Sequence, residues 1–194
     1  TGTLTLGKLT VKSVRSFCGT ELSRVLEVAC SIGNGSTHPV SKAIVFYAKE
    51  AGADCEEPNH FKEVEGRGII GTGRDDQNII LGRPDFLNEQ NILFDDEVSA
   101  AVAEGIAQSN NVTILALNGK VIGLFALADE IREEVADTVT ALKKGGIKEV
   151  VMLTGDNEGV AKNIAGRLGI DKYYARLLPE HKVFVLKEYL GKND

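Results

Sequence analysis

A chain of 194 residues is long enough for one large domain or two small ones, each with a buried core. Its longest apolar runs, such as VIGLFALA, are far shorter than the roughly 20 residues of a membrane-spanning helix, so the sequence predicts a soluble piece. The 22 lysines and arginines are outnumbered by 28 aspartates and glutamates and are scattered, which argues against nucleic acid as a partner.

The three cysteines, Cys18, Cys30 and Cys55, are too widely spaced for a CxxC pair. We expect them to be reduced, mostly buried thiols of a cytosolic protein. The same spacing makes a zinc site improbable, so the sequence predicts no bound structural metal.

The first half of the chain has an α+β pattern. Residues 4–17 alternate as one or two strands do, and helical spacing follows in ELSRVLEVACSIG and PVSKAIVFYAKEAG. Short apolar runs between glycine, aspartate and asparagine in residues 60–87 predict an antiparallel meander with a turn at RDDQN. Helical spacing returns in DDEVSAAVAEGIAQSN. An antiparallel sheet flanked by helices is therefore expected.

The second half alternates strands and helices from near residue 112, where the pattern changes. The predicted strands are NVTILALN, KVIGLFALA, EVVMLTG and KYYARL, and the predicted helices are EIREEVADTVTALKKGG, NEGVAKNIAGRLG and PEHKVFVLKEYLG. Continuous apolar runs such as VVML are typical of a parallel sheet wrapped by helices. Ligands of such sheets bind beyond the C-terminal strand ends, where MLTGDN lies.

Two stretches of this half could bind phosphate. In VVMLTGDNEGVAKNIA a strand leads Thr154, Gly155 and Asp156 into a turn before a helix, whose free N–H groups can bind an anion. Alternatively, Thr154 or Asp156 only caps that helix. In LLPEHKVFVLKEY, Lys182 lies in the first turn of a helix, against the dipole, which indicates a bound phosphate or else a solvated lysine.

Together with the N-terminal TGTLT, these stretches resemble the phosphorylation domain of P-type ATPases, a branch of the haloacid-dehalogenase-like superfamily. The family signature is DKTGTLT, so the resemblance implies a phosphorylated aspartate just before Thr1. It also implies that the aspartates that hold Mg²⁺ lie beyond LGKND, and that this chain carries no metal ligands. We expect a fragment that binds nucleotide without turnover. The residues matched to the phosphorylation site are Thr1, Thr3, Thr154, Gly155, Asp156 and Lys182.

The first half is similar to the nucleotide-binding domain of the heavy-metal-transporting P1B subfamily. His38-Pro39 in GNGSTHPVSKAI matches its histidine-proline motif, and Gly66 and Gly68 in EVEGRGIIG match its GxG. The resemblance implies that His38 contacts the purine and phosphates of ATP and that the glycines let backbone N–H groups approach them. Otherwise, the histidine is a capping or surface residue and the glycines serve a turn or bulge.

Two positions depart from the subfamily pattern. The glutamate five residues before the histidine is Gly33 here, so Asn34 substitutes for it or the adenine is held less tightly. The GN of the subfamily is Gly82-Arg83, where the arginine could reach a phosphate.

The resemblance implies an α/β fold in which an incomplete haloacid-dehalogenase-like parallel sheet carries an inserted α+β domain built on an antiparallel sheet. It assigns residues 1–12 and 113–194 to a phosphorylation domain and 13–112 to a nucleotide-binding domain. The implied function is the ATP-binding portion of a heavy-metal-transporting P-type ATPase on the cytosolic face of a membrane. ATP and Mg²⁺ are the implied cofactors, and the pump's transmembrane and actuator domains are the implied partners. The fragment is expected to be monomeric.

Two other classes of function remain open. A soluble phosphatase of the same superfamily, with the first half as a cap, requires a DxD near its N-terminus, and none occurs there. A non-catalytic module that senses ATP is the other alternative. For the transported ion, STHP resembles the zinc and cadmium pumps more than the copper pumps, whose form is more often SEHP.

Overall fold

A computed structural model describes residues 4–73, 76–155, 158–177 and 179–190. The chain forms two units: unit 1 comprises Thr1–Gly7 and Ile131–Asp194, and unit 2 comprises Lys8–Glu130. The elements in chain order are β1 (Thr5–Ser16), α1 (Leu22–Asn34), α2 (Pro39–Glu50), β2 (His60–Val64), β3 (Gly68–Thr72), β4 (Asn78–Gly82), α3 (Pro84–Glu89), α4 (Asp96–Ala107), β5 (Asn111–Leu117), β6 (Lys120–Ile131), α5 (Glu133–Lys144), β7 (Val151–Leu153), α6 (Glu158–Leu168), β8 (Lys172–Tyr174) and α7 (Pro179–Leu190).

Unit 2 is built on a six-stranded sheet in the order β1-β6-β5-β4-β3-β2. The pairs from β2 to β6 are antiparallel, which confirms the predicted meander of β2, β3 and β4. Successive side chains of a strand point to opposite faces. In β4, Ile79 and Leu81 therefore pack with α1 and α2, whereas Ile80 packs with α3 and α4. Helices cover both faces of the sheet, and β2 is an edge strand.

Unit 1 contains a parallel pair, β7 and β8, with Met152 opposite Tyr173. Helix α6 packs Ala161 and Ala165 against Met152. Val135 of α5 belongs to a neighbouring apolar cluster. The three helices expected in this part of the chain are present as α5, α6 and α7.

One expectation about the second half was wrong. NVTILALN and KVIGLFALA form β5 and β6, which pair antiparallel in the large sheet and are not part of the parallel sheet. The domain boundaries expected after residues 12 and 112 lie within β1 and β5, and the two units of the chain divide after Gly7 and Glu130. The meander stretch also ends in a short helix, α3, that the apolar pattern did not indicate.

The cysteines also differ from the prediction. Cys30 of α1 and Cys55, in the loop after α2, form a disulfide with their Cα atoms 5.1 Å apart. Cys18 is free and exposed. The fold brings Cys30 and Cys55 together across 25 positions, a proximity that spacing alone could not indicate.

No helix within the described ranges is long and apolar enough to cross a membrane.

Candidate functional site

His38 lies at the exposed turn between α1 and α2 and caps α2. Its Nδ1 accepts a hydrogen bond from the N–H of Val40 at 3.2 Å, and Pro39 takes the first helical position. Because Nδ1 is an acceptor, the neutral ring carries its proton on Nε2. The ring therefore serves as a cap and retains a second nitrogen that can donate to a ligand.

Ser36 connects this turn to the edge strand. The backbone N–H of His38 donates to Ser36 Oγ at 3.1 Å, and Ser36 Oγ donates to Glu63 Oε1 of β2. Ser36 is buried, with a relative exposure of 7%. The histidine turn is thus joined to β2 through one buried hydroxyl.

The GxG motif lies at the turn that follows β2. Gly66 has φ +68°, a conformation that glycine adopts without a steric penalty. Arg67 N–H donates to Val64 O at 3.0 Å and closes the turn, and Gly68 begins β3 opposite Gly82 of β4. The structure therefore brings the histidine turn and the glycine turn to the same edge strand.

The positions that depart from the subfamily pattern have other contacts. Gly33 is buried in α1, and a Cβ there would lie 2.9 Å from Val45 Cγ2 of α2. Asn34 Oδ1 accepts from Lys49 Nζ at 3.3 Å. Arg83 Nε lies 3.2 Å from Asp85 Oδ1 at the exposed start of α3. Gly33 consequently serves the packing of α1 on α2.

Three residues of this edge were not predicted from the sequence, namely Ser36, Phe61 and Glu63. Phe61 is 44% exposed, and its ring lies so close to Gly35 that a Cβ on that glycine would be 2.6 Å from a ring carbon. An aromatic residue and a carboxylate at alternate positions of one strand were the available sequence signal, since such residues share a face.

The phosphate candidates of unit 1 follow β7. Thr154 N–H donates to Tyr174 O at 2.9 Å, and Thr154 O accepts from Leu177 N–H at 3.0 Å. A Cβ on Gly155 would lie 3.3 Å from Leu177 O. Leu177 leads into α7, whose first turn carries the half-buried Lys182. The Thr154 turn and the approach to α7 are therefore neighbours.

Three further candidates of unit 1 are not described, and one carboxylate of unit 1 has a shifted pKa. Thr1, Thr3 and Asp156 lie outside the described residues. At the opposite ends of β7 and β8, Lys143 and the N–H of Val150 bind the Asp171 carboxylate and lower its pKa.

A polar cavity of about 270 Å³ occurs elsewhere in unit 2. It lies between α1 and the loop around Asp54 and Glu56, and the β3–β4 hairpin closes it. Arg24, in this cavity, is held by Glu27 and Gln77. Neither His38 nor Gly66 lines it, so it is distinct from the candidate edge.

Within the ranges that the structure describes, no group of three or more histidine, cysteine, aspartate and glutamate side chains could hold a metal ion.

Comparison with known proteins identifies the family. A family model described as haloacid dehalogenase-like hydrolase matches residues 1–193. The chain is 36% identical to the copper-exporting P-type ATPase B of Archaeoglobus fulgidus over 192 residues, which are 99% of this chain and 27% of that protein. The chain therefore spans little more than a quarter of that relative.

Two solved structures give the same result. A crystal structure of a zinc-transporting PIB-type ATPase in the E2.Pi state matches with a TM-score of 0.85 at 30% identity, over 99% of this chain and 30% of that chain. The catalytic domain of the CPx-ATPase CopB-B, in which conformational changes upon nucleotide binding are described, matches with a TM-score of 0.74 at 30% identity, over 100% of this chain and 67% of that chain. The chain belongs to the haloacid dehalogenase-like hydrolases and, among them, to the heavy-metal-transporting P1B group of P-type ATPases.

Proposed function

We propose that this chain is the ATP-binding catalytic portion of a heavy-metal-exporting P-type ATPase. In this proposal unit 2 binds the nucleotide, and unit 1 carries residues that handle the transferred phosphate. The observation that carries the proposal is the hydrogen-bonded path from His38 through Ser36 to Glu63, since it joins the histidine turn to the strand that leads into the GxG turn.

In unit 2, His38 Nε2–H donates to a purine nitrogen or a phosphate oxygen while Nδ1 keeps its helix-capping bond. Gly66 lets a phosphate approach the main chain of its turn, because no Cβ stands in the way, and we include Gly68 on the family resemblance. The open surroundings of Gly66, where a Cβ would meet no atom within 4 Å, support this role.

In unit 1, the Thr154 hydroxyl and the Gly155 N–H orient phosphoryl oxygens, and the Lys182 ammonium group offsets charge that develops during transfer. The hydrogen bond from Leu177 to Thr154 O supports this assignment, because it holds the turn beside the start of α7. We include Asp156, Thr1 and Thr3 on the family resemblance alone. The phosphate acceptor is an aspartate of the whole protein.

Mg²⁺ supplies charge neutralisation for the nucleotide phosphates in transfers of this kind. The described residues do not fit a magnesium site of their own, because they contain no cluster of three acidic, histidine or cysteine side chains. We therefore assign Mg²⁺ to the nucleotide and to the rest of the protein.

The cargo is a heavy-metal cation, because one relative exports copper and one structural neighbour transports zinc. The preference for zinc or cadmium indicated by STHP stays a prediction. Transmembrane and actuator domains of the whole protein, at the cytosolic face of a membrane, complete the proposal. These similarities favour the pump over a phosphatase with a cap or an ATP-sensing module.

Calorimetric titration of the chain with ATP tests the nucleotide part of the proposal. We compare His38→Asn, which keeps a good helix cap without the ring, with His38→Ala, which loses both. Both variants are expected to bind ATP roughly 3–10-fold more weakly, the value of about one hydrogen bond.

His181→Asn is the matched control, since it replaces an exposed histidine near the start of α7 in unit 1 and should bind ATP as the unsubstituted chain does. Absence of ATP binding to the unsubstituted chain would overturn the proposal. Equal binding by His38→Asn would remove His38 from the site.

A further inference from the structure

Edge strand β2 presents an aromatic ring and a carboxylate beside the histidine turn. We propose that Phe61 and Glu63 form a purine-recognition surface in which Glu63 accepts a hydrogen bond from the exocyclic amino group of adenine and thereby selects ATP over GTP. Ser36 is the positioning residue for Glu63. This inference rests on the proposed function, since it names the base that unit 2 binds.

The two side chains share one face of the sheet. Phe61 pairs with Gly71 and Glu63 pairs with Ile69, whose side chain lies in the core beneath α1 and α2. Residues at alternate positions of a strand point to the same side. Phe61 and Glu63 therefore lie on the side of the sheet that carries the His38 turn.

Ser36 leaves one oxygen of Glu63 available. The buried Ser36 hydroxyl accepts from His38 N–H and donates to Glu63 Oε1, so both of its hydrogen-bonding roles are in use. Glu63 forms no other hydrogen bond or ion pair with any residue that the structure describes. The carboxylate is thus oriented through one oxygen, and its second oxygen can accept from a ligand.

Phe61 supplies a surface for the base. Its ring rests against Gly35, and 44% of the side chain remains exposed. Bases stack on exposed aromatic side chains, and a ring backed by main chain is held in place for that contact. The small residue at position 35 is what allows the ring to lie there, since a Cβ would overlap it.

A carboxylate with one available oxygen discriminates between purines. Adenine presents an amino donor at N6, whereas guanine presents the O6 acceptor at the corresponding place. Guanine could instead offer two adjacent donors to both oxygens of a carboxylate, and Ser36 competes with that contact because it already donates to Oε1. Glu63 therefore favours adenine, because the O6 acceptor of guanine finds no donor at this oxygen.

Two other positions near the histidine turn, Gly33 and Asn34, already have contacts within the fold. Gly33 is enclosed by Val45, so a longer side chain there would disturb the packing of α1 on α2. Asn34 is bound to Lys49 of α2. Glu63 is the carboxylate that the structure joins directly to the histidine turn.

Calorimetric titration with ATP and with GTP tests the inference on the unsubstituted chain, Glu63→Gln, Ser36→Ala and Phe61→Leu. We expect at least tenfold tighter binding of ATP than of GTP to the unsubstituted chain. Glu63→Gln should bring that ratio close to one, because the amide keeps an acceptor for Ser36 but places a donor where adenine presents its amino group. Ser36→Ala should also lower the preference for ATP over GTP, and Phe61→Leu should weaken the binding of both nucleotides.

Lys62→Gln is the matched control, since it changes the adjacent residue of β2, which points to the opposite face. It should leave the ATP-to-GTP ratio unchanged. Thermal unfolding of Glu63→Gln should match that of the unsubstituted chain, which separates recognition from a structural role.

The two proposals fail differently. If the unsubstituted chain binds neither nucleotide, the proposed function fails. If it binds ATP and Glu63→Gln retains the same preference for ATP over GTP, only the assignment of Glu63 is overturned.

Discussion

Gly68 and Gly82 face each other across the β3–β4 pair, and the ring of Phe86 lies over both. A Cβ on Gly68 would lie 2.6 Å from Gly82 Cα and 2.5 Å from Leu81 O. One on Gly82 would lie 2.7 Å from Phe86 Cδ1. The second glycine of the GxG motif is therefore required by the packing of α3 on the sheet, whatever it does for a ligand.

Gly68→Ala is predicted to destabilise unit 2 by about 1–3 kcal/mol, because the nearest atoms are main chain and cannot give way easily. Gly66→Ala should cost about 1–2 kcal/mol through its positive φ alone, since nothing lies within 4 Å of its Cβ position. Urea unfolding followed by circular dichroism measures both free energies of unfolding.

Gly166→Ala is the control for these glycine substitutions. Gly166 lies in α6 with open space around its Cβ position, so alanine there should stabilise by up to about 1 kcal/mol. A Gly68→Ala chain as stable as the unsubstituted one would contradict the close approach of β3, β4 and Phe86.

The orientation of two strands could not be derived from the apolar pattern. Continuous apolar runs are typical of parallel sheets because both faces are covered. Here β5 and β6 are buried over most of their length because α1 and α2 cover one face of an antiparallel sheet and α3 and α4 cover the other. The pattern correctly indicated burial on both faces, and it carried no information about direction.

The candidate site was predictable only in part. Motifs indicated His38 and the GxG turn, and the capping of α2 follows from the histidine-proline order. The contact between Ser36 and Glu63 spans 27 positions, and the Cys30–Cys55 disulfide spans 25. Such pairings depend on how α1, α2 and β2 pack, which local spacing does not determine.

The capping bond of His38 predicts an order of stabilities. His38→Ala should lower the free energy of unfolding of unit 2 by about 1 kcal/mol, because Val40 N–H loses its acceptor. His38→Asn should be as stable as the unsubstituted chain, since asparagine is a favoured cap. Thermal unfolding in the absence of nucleotide measures the stabilities of the three chains. Equal stability of all three chains would show that the cap contributes nothing.

The disulfide predicts a stability that depends on reducing agent. A cross-link that spans 25 positions should stabilise unit 2 by about 3 kcal/mol in the chain-entropy model. Urea unfolding with and without dithiothreitol measures this difference. The free energy of unfolding of Cys55→Ser should be the same in both conditions. Thiol titration of the unfolded, unreduced chain should find one free thiol, that of Cys18. Three free thiols would contradict the pairing.

The Asp171 carboxylate predicts acid sensitivity of unit 1. Lys143 Nζ lies 2.6 Å from its Oδ1 and Val150 N–H donates to its Oδ2, and these bonds lower the pKa of Asp171 from the usual 3.8. Its stabilising effect is therefore complete above pH 3.8 and is lost as the pH falls through the lower, folded-state pKa. Asp171→Asn should destabilise unit 1 at pH 7, and this difference should shrink on acidification.

Urea unfolding from pH 7 into strong acid measures the difference, with Asp137→Asn, an exposed aspartate of α5, as the control that should show little change. Asparagine carries no charge at any pH, so only the unsubstituted chain loses the attraction to Lys143 when a proton binds. A difference between Asp171→Asn and the unsubstituted chain that stays constant across this pH range would show that the attraction between the two side chains does not stabilise the fold.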